Sequence, residues 1–298
     1  MKRLCYMLLC LCLTTSISYA GKPKAKHLIY IGLDGWGSYS MPKADMPNVQ
    51  SLMEGGCYTL QKRAVNPSSS APNWASMFMG AGPELHGYTQ WGSKTPELPS
   101  RVILKNNIFP TIFQIYRDAD ANAEIGVIAD WAGIKYLVDT LSVSHWAQGP
   151  DFNKYPTRLT EMAETYIKER KPSLFAVIYD NPDHVGHQSG HDTPDYYKVL
   201  TELDRYIGRI IEATKQAGIY DDTIFIVTSD HGGVKKGHGA LTLPEVETPF
   251  IIFGKNIKSM GEFSESMMQY DVASTMAYIL GLRQPQVWIG RPMTQVFK

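Results

Sequence analysis

The stretch Thr223-Ile224-Phe225-Ile226-Val227-Thr228-Ser229-Asp230-His231-Gly232-Gly233-Val234-Lys235-Lys236-Gly237-His238-Gly239 organises the reading of the whole chain. Ile224–Val227 is a short apolar run rich in β-branched residues, which predicts a buried strand. The run gives way to Asp230 and His231, then to Gly232 and Gly233, and His238 follows between Gly237 and Gly239. A carboxylate and an imidazole at a strand's carboxyl end are ligand types for a divalent metal such as zinc. The glycines let the backbone turn sharply beside such an ion. A polar turn tip is the competing reading, and the rest of the chain discriminates between the two.

Working outward, the same design recurs. His27–Leu33 predicts a strand that ends in Asp34-Gly35. Ser173–Tyr179 predicts another, followed by Asp180-Asn181-Pro182-Asp183-His184-Val185-Gly186-His187. Further strands are expected over Tyr58–Val65, Ala123–Ala129 and Pro249–Phe253. Helices are expected from Pro47 through Met53, over Thr111–Asp118, over Thr157–Lys171 before the stop at Pro172, and over Asp271–Leu280. Asp195–Gly218 carries Tyr196, Val199, Leu200, Leu203, Ile207, Ile210 and Ile211 at helical spacing. Between Ser68 and Gly82, Ser70 has the character of an N-cap and Pro72 belongs in a first helical turn. Thr89–Ser100 is polar and predicts a loop, and the tail to Lys298 is irregular. Alternation of strands and helices predicts an α/β fold: a mostly parallel central sheet with helices on both faces, joined by right-handed crossovers.

The N-terminus carries an export pattern. Lys2 and Arg3 precede an apolar run, Cys5–Leu13, and Ser18-Tyr19-Ala20 has the small-x-small form of a cleavage site before Gly21. Residues 1–20 are therefore expected to be a signal peptide and residues 21–298 one catalytic domain, periplasmic or secreted, with no membrane attachment after cleavage. Three of the four cysteines lie in that peptide, so only Cys57 remains and no intramolecular disulfide is expected. Lys+Arg and Asp+Glu both number 29 in 298 residues. A neutral chain lacks the positive field a nucleic-acid polymer selects, so none is expected as partner. A small phosphate ester held by a metal remains open.

Three predicted strands thus end in Asp34, in Asp183 with His187, and in Asp230 with His231, and His238 follows on the third loop. Strand carboxyl ends share one edge of an open parallel sheet, so these residues meet in space. With Ser70 they make seven ligand-type positions, enough for two ions that clamp the attacking and leaving oxygens of a displacement at phosphorus. Ser70 at a helix N-terminus suits a nucleophile, with nearby N–H groups for phosphoryl oxygens. His184 is expected at the surface or behind the ligands, His191 on a loop, and His86 in a structural role. Trp74 and Trp91 fit either a pocket wall or the core.

These pieces resemble the alkaline phosphatase superfamily, and most closely its type I phosphodiesterase/nucleotide pyrophosphatase branch. The resemblance is carried by Leu33-Asp34-Gly35, Met46-Pro47-Asn48, Ser70-Ala71-Pro72-Asn73, Pro182-Asp183-His184-Val185-Gly186-His187, Ser229-Asp230-His231-Gly232 and Gly237-His238-Gly239. It implies an alkaline-phosphatase-like fold and two zinc ions, with manganese or another divalent metal as the alternative. One ion falls to Asp183, His187 and His238. The other falls to Asp34, Asp230 and His231, with Ser70 as nucleophilic ligand in place of the branch's threonine. Asn73 matches an asparagine that donates to a phosphoryl oxygen.

The implied activity is hydrolysis of phosphate esters, diesters first, through a phosphoseryl intermediate. A phosphomonoesterase or phosphonate hydrolase on the same site is the alternative, and a non-catalytic binding protein stands further off. Sulfatases of the superfamily carry Arg at the fifth position of the Ser/Cys-x-Pro-x-Arg motif, where this chain has Trp74, which argues against that activity.

Overall fold

The computed structural model describes residues 21–150 and 157–298. The expected signal peptide, residues 1–20, lies outside the described residues. In chain order the elements are β1 (His27–Asp34), α1 (Pro47–Gly55), β2 (Cys57–Arg63), α2 (Ser70–Met79), α3 (Pro83–His86), α4 (Ile112–Ala119), β3 (Ile125–Ala129) and β4 (His145–Gln148). They continue with α5 (Arg158–Arg170), β5 (Leu174–Pro182), α6 (Asp183–Ser189), α7 (Pro194–Gln216), β6 (Thr223–Thr228), α8 (Leu243–Val246), β7 (Glu247–Gly254), β8 (Gly261–Glu262) and α9 (Asp271–Ile279).

The eight strands form one sheet in the order β4-β3-β5-β1-β6-β7-β2-β8. From β4 to β6 every pairing is parallel. Beyond β6 the sheet is mixed, with β7 antiparallel to both β6 and β2. The mostly parallel α/β fold expected from the sequence is what the structure has.

The alternation of side chains along β1 explains why the sheet is covered on both sides. Leu28 and Tyr30 enter an apolar layer with α2, α4 and α9. Ile29, Ile31 and Leu33 enter the opposite layer with α1, α5 and α7. β1 therefore carries no charged side chain between Leu28 and Leu33, as a strand buried on both faces requires. At α7, the Thr193 side chain accepts from the Tyr196 N–H and Pro194 opens the first turn, a capped start that positions the apolar stripe read from the sequence.

Two features of local structure differ from expectation. Ser69, not Ser70, is the N-cap of α2, and Ser70 is its first helical residue. Asp183–His187, for which the sequence predicted no element, starts a short helix, α6, which Gly190 follows at φ 107°. β4 and β8 have no expected counterpart. β4 is only half-buried and β8 is two residues long, so neither leaves an apolar run in the sequence. Cys57 is buried with a free thiol. No helix among the described residues is long and apolar enough to cross a membrane.

Candidate active site

β5, β1 and β6 are adjacent parallel strands, and they deliver Asp183, Asp34 and Asp230 to one sheet edge. The register is tight: Gly32 of β1 lies opposite both Ile178 and Thr228, and Asp34 lies opposite Pro182. The approach requires glycine at position 35. Its φ is +70°, and a Cβ there would lie 2.5 Å from Asp183 Cβ. α6 then places His187 one turn beyond Asp183, with His187 Nε2 3.1 Å from Asp183 Oδ2.

His238, on the loop after β6, closes the group. Its Nε2 lies 3.2 Å from that of His187 and 3.8 Å from Asp183 Oδ1, and its ring stacks on that of His231 at 3.8 Å between centroids. Ligand atoms of Asp34, Asp230 and His231 form one cluster within 4.8 Å of one another, and those of Asp183, His231 and His238 form a second. His231 thus stands between the two expected sites, while His187 borders the second through Asp183 and His238.

The donor set fits divalent ions. Each of the three histidines places Nδ1 against a main-chain carbonyl: His187 on Lys236 at 2.9 Å, His231 on Gly232 at 2.8 Å, His238 on Ser68 at 3.0 Å. A carbonyl only accepts, so Nδ1 carries a hydrogen and Nε2 is the ring nitrogen turned into the cluster, a ligand atom when the ring is neutral. Asp183 Oδ1 and Asp230 Oδ2 are buried without a hydrogen-bond partner among the described residues. Orphaned buried carboxylate oxygens beside imidazole nitrogens are what a cation satisfies.

The electrostatics agree. Burial, then the neighbouring charges of Asp230 and Asp183, push the Asp34 carboxyl well above its ordinary range. Burial and Asp183 raise Asp230 likewise. Burial also acts upward on Asp183, but the hydrogen bond from His187 and the charges of His231 and His238 carry it below its usual value. The Asp183 hydrogen bond raises His187 to about 9, whereas burial drops His231 to about 3.

Ser70 Oγ lies 3.2 Å from His231 Nε2 and 3.5 Å from Asp34 Oδ1. The structure brings all seven ligand-type positions to this edge. Asn73 is bonded within the chain. Its Oδ1 accepts from the Val65 N–H at 2.7 Å, and its Nδ2 donates to the carbonyls of Pro67 and Ser69 at 3.0 and 2.9 Å. The side chain of Asn73 thus ties down the loop before Ser70. The first-turn N–H of Ala71 is also engaged, by the Trp91 carbonyl at 3.1 Å.

A cavity of about 740 Å³ opens beside Ser70, bounded by His187 and His238 on one side and by Trp91 and Trp131 on another. His184 lines it, 2.8 Å from Gln188. Trp91 is a pocket residue, while Trp74 is wholly buried and His86 is structural, bonded to Ser76 at 3.0 Å. His191 is on a loop as expected, yet it is buried against the ligands, 3.5 Å from Asp183 Oδ1, and burial drops it to about 4. Sequence reasoning missed Lys62 and Gln269, which lie behind Asp230. Burial pulls the Lys62 ammonium well below its ordinary value. A lysine in a strand otherwise read as alternating gave no signal of this.

Residues 28–236 match the family described as type I phosphodiesterase / nucleotide pyrophosphatase. Over 226 residues the chain is 22% identical to ectonucleotide pyrophosphatase/phosphodiesterase family member 5 of Homo sapiens, covering 74% of this chain and 47% of that protein. Over 216 residues it is 24% identical to a bis(5'-adenosyl)-triphosphatase of Mus musculus, covering 70% and 47%. The chain spans about half the length of these curated relatives.

Among solved structures, an inactive variant of murine ectonucleotide pyrophosphatase/phosphodiesterase 5 in complex with AMP superposes with a TM-score of 0.70 at 16% identity, over 87% of this chain and 96% of that one. A 2-O glycosaminoglycan sulfatase superposes at 0.72 with 14% identity, over 91% and 74%. At these identities the likeness is one of fold.

Proposed function

The chain belongs to the type I phosphodiesterase / nucleotide pyrophosphatase family, and on that premise we propose that it hydrolyses phosphodiesters at a two-metal site with Ser70 as nucleophile. One observation carries the reading. Ser70 Oγ stands 3.2 Å from the Nε2 of His231, which clusters with Asp183 and Asp230, each with a buried carboxylate oxygen that no group among the described residues satisfies.

Asp183, His187 and His238 would hold one ion, and Asp34, Asp230, His231 and Ser70 the other. Three imidazoles favour zinc, with manganese or another divalent ion as the alternative. When bound, the ions supply positive charge to the attacking and leaving oxygens. Ser70 Oγ attacks phosphorus in line, the bond to the leaving alcohol breaks, and the alcohol departs with a proton. Water then cleaves the phosphoseryl ester and restores the Ser70 hydroxyl. Asn73 acts through the loop it holds, fixing where Ser70 stands.

The cavity walled by Trp91 and Trp131 has room for a second ester substituent with an apolar or aromatic surface. This favours a diester over a monoester, and makes small nucleotide esters a first class to try. The same proposal places the protein outside the cytoplasm, exported through residues 1–20.

The test compares hydrolysis of bis-p-nitrophenyl phosphate with p-nitrophenyl phosphate by zinc-loaded protein, with a chelator control. Faster diester cleavage, lost on chelation and abolished in Ser70→Ala with ion content intact, is the expected result. Turnover by Ser70→Ala at the parent rate would sink the nucleophile assignment. A monoester preference would move the activity to a phosphatase on the same residues.

A further inference from the structure

Lys62 is wholly buried, and no ion pair among the described residues includes it. Its place is built by an irregularity. Thr59 of β2 pairs with Phe250 of β7, but Lys62 pairs with Thr248, so β2 uses three steps where β7 uses two. Without this one-residue bulge, Gln61 would share the face of Thr59 and Lys62 would point to the other side of the sheet. The bulge turns the lysine inward.

There the Lys62 ammonium donates to the Ser229 carbonyl at 2.8 Å and to Oε1 of Gln269. Gln269 Nε2 donates in turn to the carbonyls of Ser229 and Asp230. Gln269 is itself fixed, its N–H on the Arg63 carbonyl at 3.0 Å. Main-chain carbonyls only accept, so the amide nitrogen of Gln269 faces Ser229 and Asp230 and its amide oxygen faces the Lys62 donor. The peptide joining Asp230 to His231 is thereby held in one orientation, and that orientation sets where both side chains leave the chain.

We propose that Lys62 and Gln269 form a positioning clamp that aims Asp230 and His231 for ion binding. Burying a lysine without a carboxylate partner is costly. Its presence here, reached through a bulge and bonded only to the main chain of the ligand segment and to the amide that grips it, is accounted for by that task. The inference takes the ligand set from the proposed function but not the reaction.

The experiment uses Lys62→Met and Gln269→Leu. Each is followed by denaturant unfolding of the ion-free protein, by zinc titration, and by the visible absorption of the cobalt-substituted protein. The expected result for Lys62→Met is a folded protein with a lowered unfolding midpoint, because the Ser229 carbonyl and the Gln269 amide oxygen lose their donor. Zinc at the Asp34, Asp230 and His231 site is held about 10- to 100-fold more weakly, and the cobalt bands are altered. Gln269→Leu gives the same loss of affinity and serves if Lys62→Met does not fold. Parent-like affinity and cobalt spectrum in both variants would overturn the clamp, as would an affinity loss that only tracks lost stability. Ion binding that depends on Lys62 in a protein inert toward every phosphodiester would retain the clamp and reject the catalytic reading.

Discussion

The indole N–H of Trp74 donates to Oδ2 of Asp34 across 2.9 Å. The ring reaches this point because position 32 is glycine: a Cβ there would lie 2.5 Å from Trp74 Cη2. The residue that departs from the sulfatase pattern is therefore an orienting donor to a ligand carboxylate, packed edge-on against Tyr30. With Oδ2 fixed, Oδ1 faces Ser70 and His231. Replacing Trp74 with Phe keeps most of the apolar packing and removes the donor. A buried acceptor that loses its partner costs about 1–3 kcal/mol, which urea unfolding should register. Zinc affinity should fall about tenfold or more. Unchanged affinity would mean that Asp34 needs no orienting bond.

Asn73 offers a way to tell scaffold from substrate contact. Its side chain bonds Val65, Pro67 and Ser69, so Asn73→Ala should lower stability by about 2–4 kcal/mol, from about 1 kcal/mol or more for each buried bond lost. Turnover should fall with it, because Ser70 loses its fixed place. A variant with the parent's melting temperature and greatly reduced turnover would instead return Asn73 to direct phosphoryl binding.

Ion removal should be visible in stability as well as in rate. The unsatisfied oxygens of Asp183 and Asp230 and the raised carboxyls of Asp34 and Asp230 describe a cluster that a cation relieves. An ion that binds only the folded chain at 100 times its Kd adds about 2.7 kcal/mol. Melting curves with zinc, manganese and chelator should separate accordingly. Coincident curves would leave the donor set without a metal.

Acid stability should carry a signature of His86, which is remote from the ligands. Burial lowers it to about 3, and it is held neutral by Ser76 Oγ and the Tyr88 N–H. The unfolded chain protonates at about 6.5. The folded pKa is the lower one, so its contribution is complete above about pH 6.5 and is lost as the pH falls toward 3, at no more than about 1.4 kcal/mol per pH unit. The parent protein should lose stability more steeply than His86→Gln between pH 6 and pH 4 in paired denaturant titrations. Parallel slopes would show that His86 is protonated in the fold.

Much of this was legible in the chain. β1, β5 and β6 are buried on both faces, so they appear as apolar runs, and each run is followed within four residues by a ligand-type residue. Parallel strands then place those ends on one edge, whatever the loops do. β4 and β8 were not legible because a half-exposed or two-residue strand leaves too little apolar sequence to mark it.

The sequence by itself determined the α/β architecture and the set of ligand-type residues, because both follow from local patterns: apolar runs, helical spacing, and polar residues at strand ends. The tertiary structure decided the partners. Asn73 turned to the loop before Ser70, Trp74 to Asp34, His191 to the buried side of Asp183, and Lys62 was carried by a bulge to the main chain of Ser229. Each of these depends on contacts between residues distant in sequence or on a one-residue shift of register. A side chain's hydrogen-bond partner is set by what the fold brings within about 3 Å of it, and no local pattern in the chain encodes that distance.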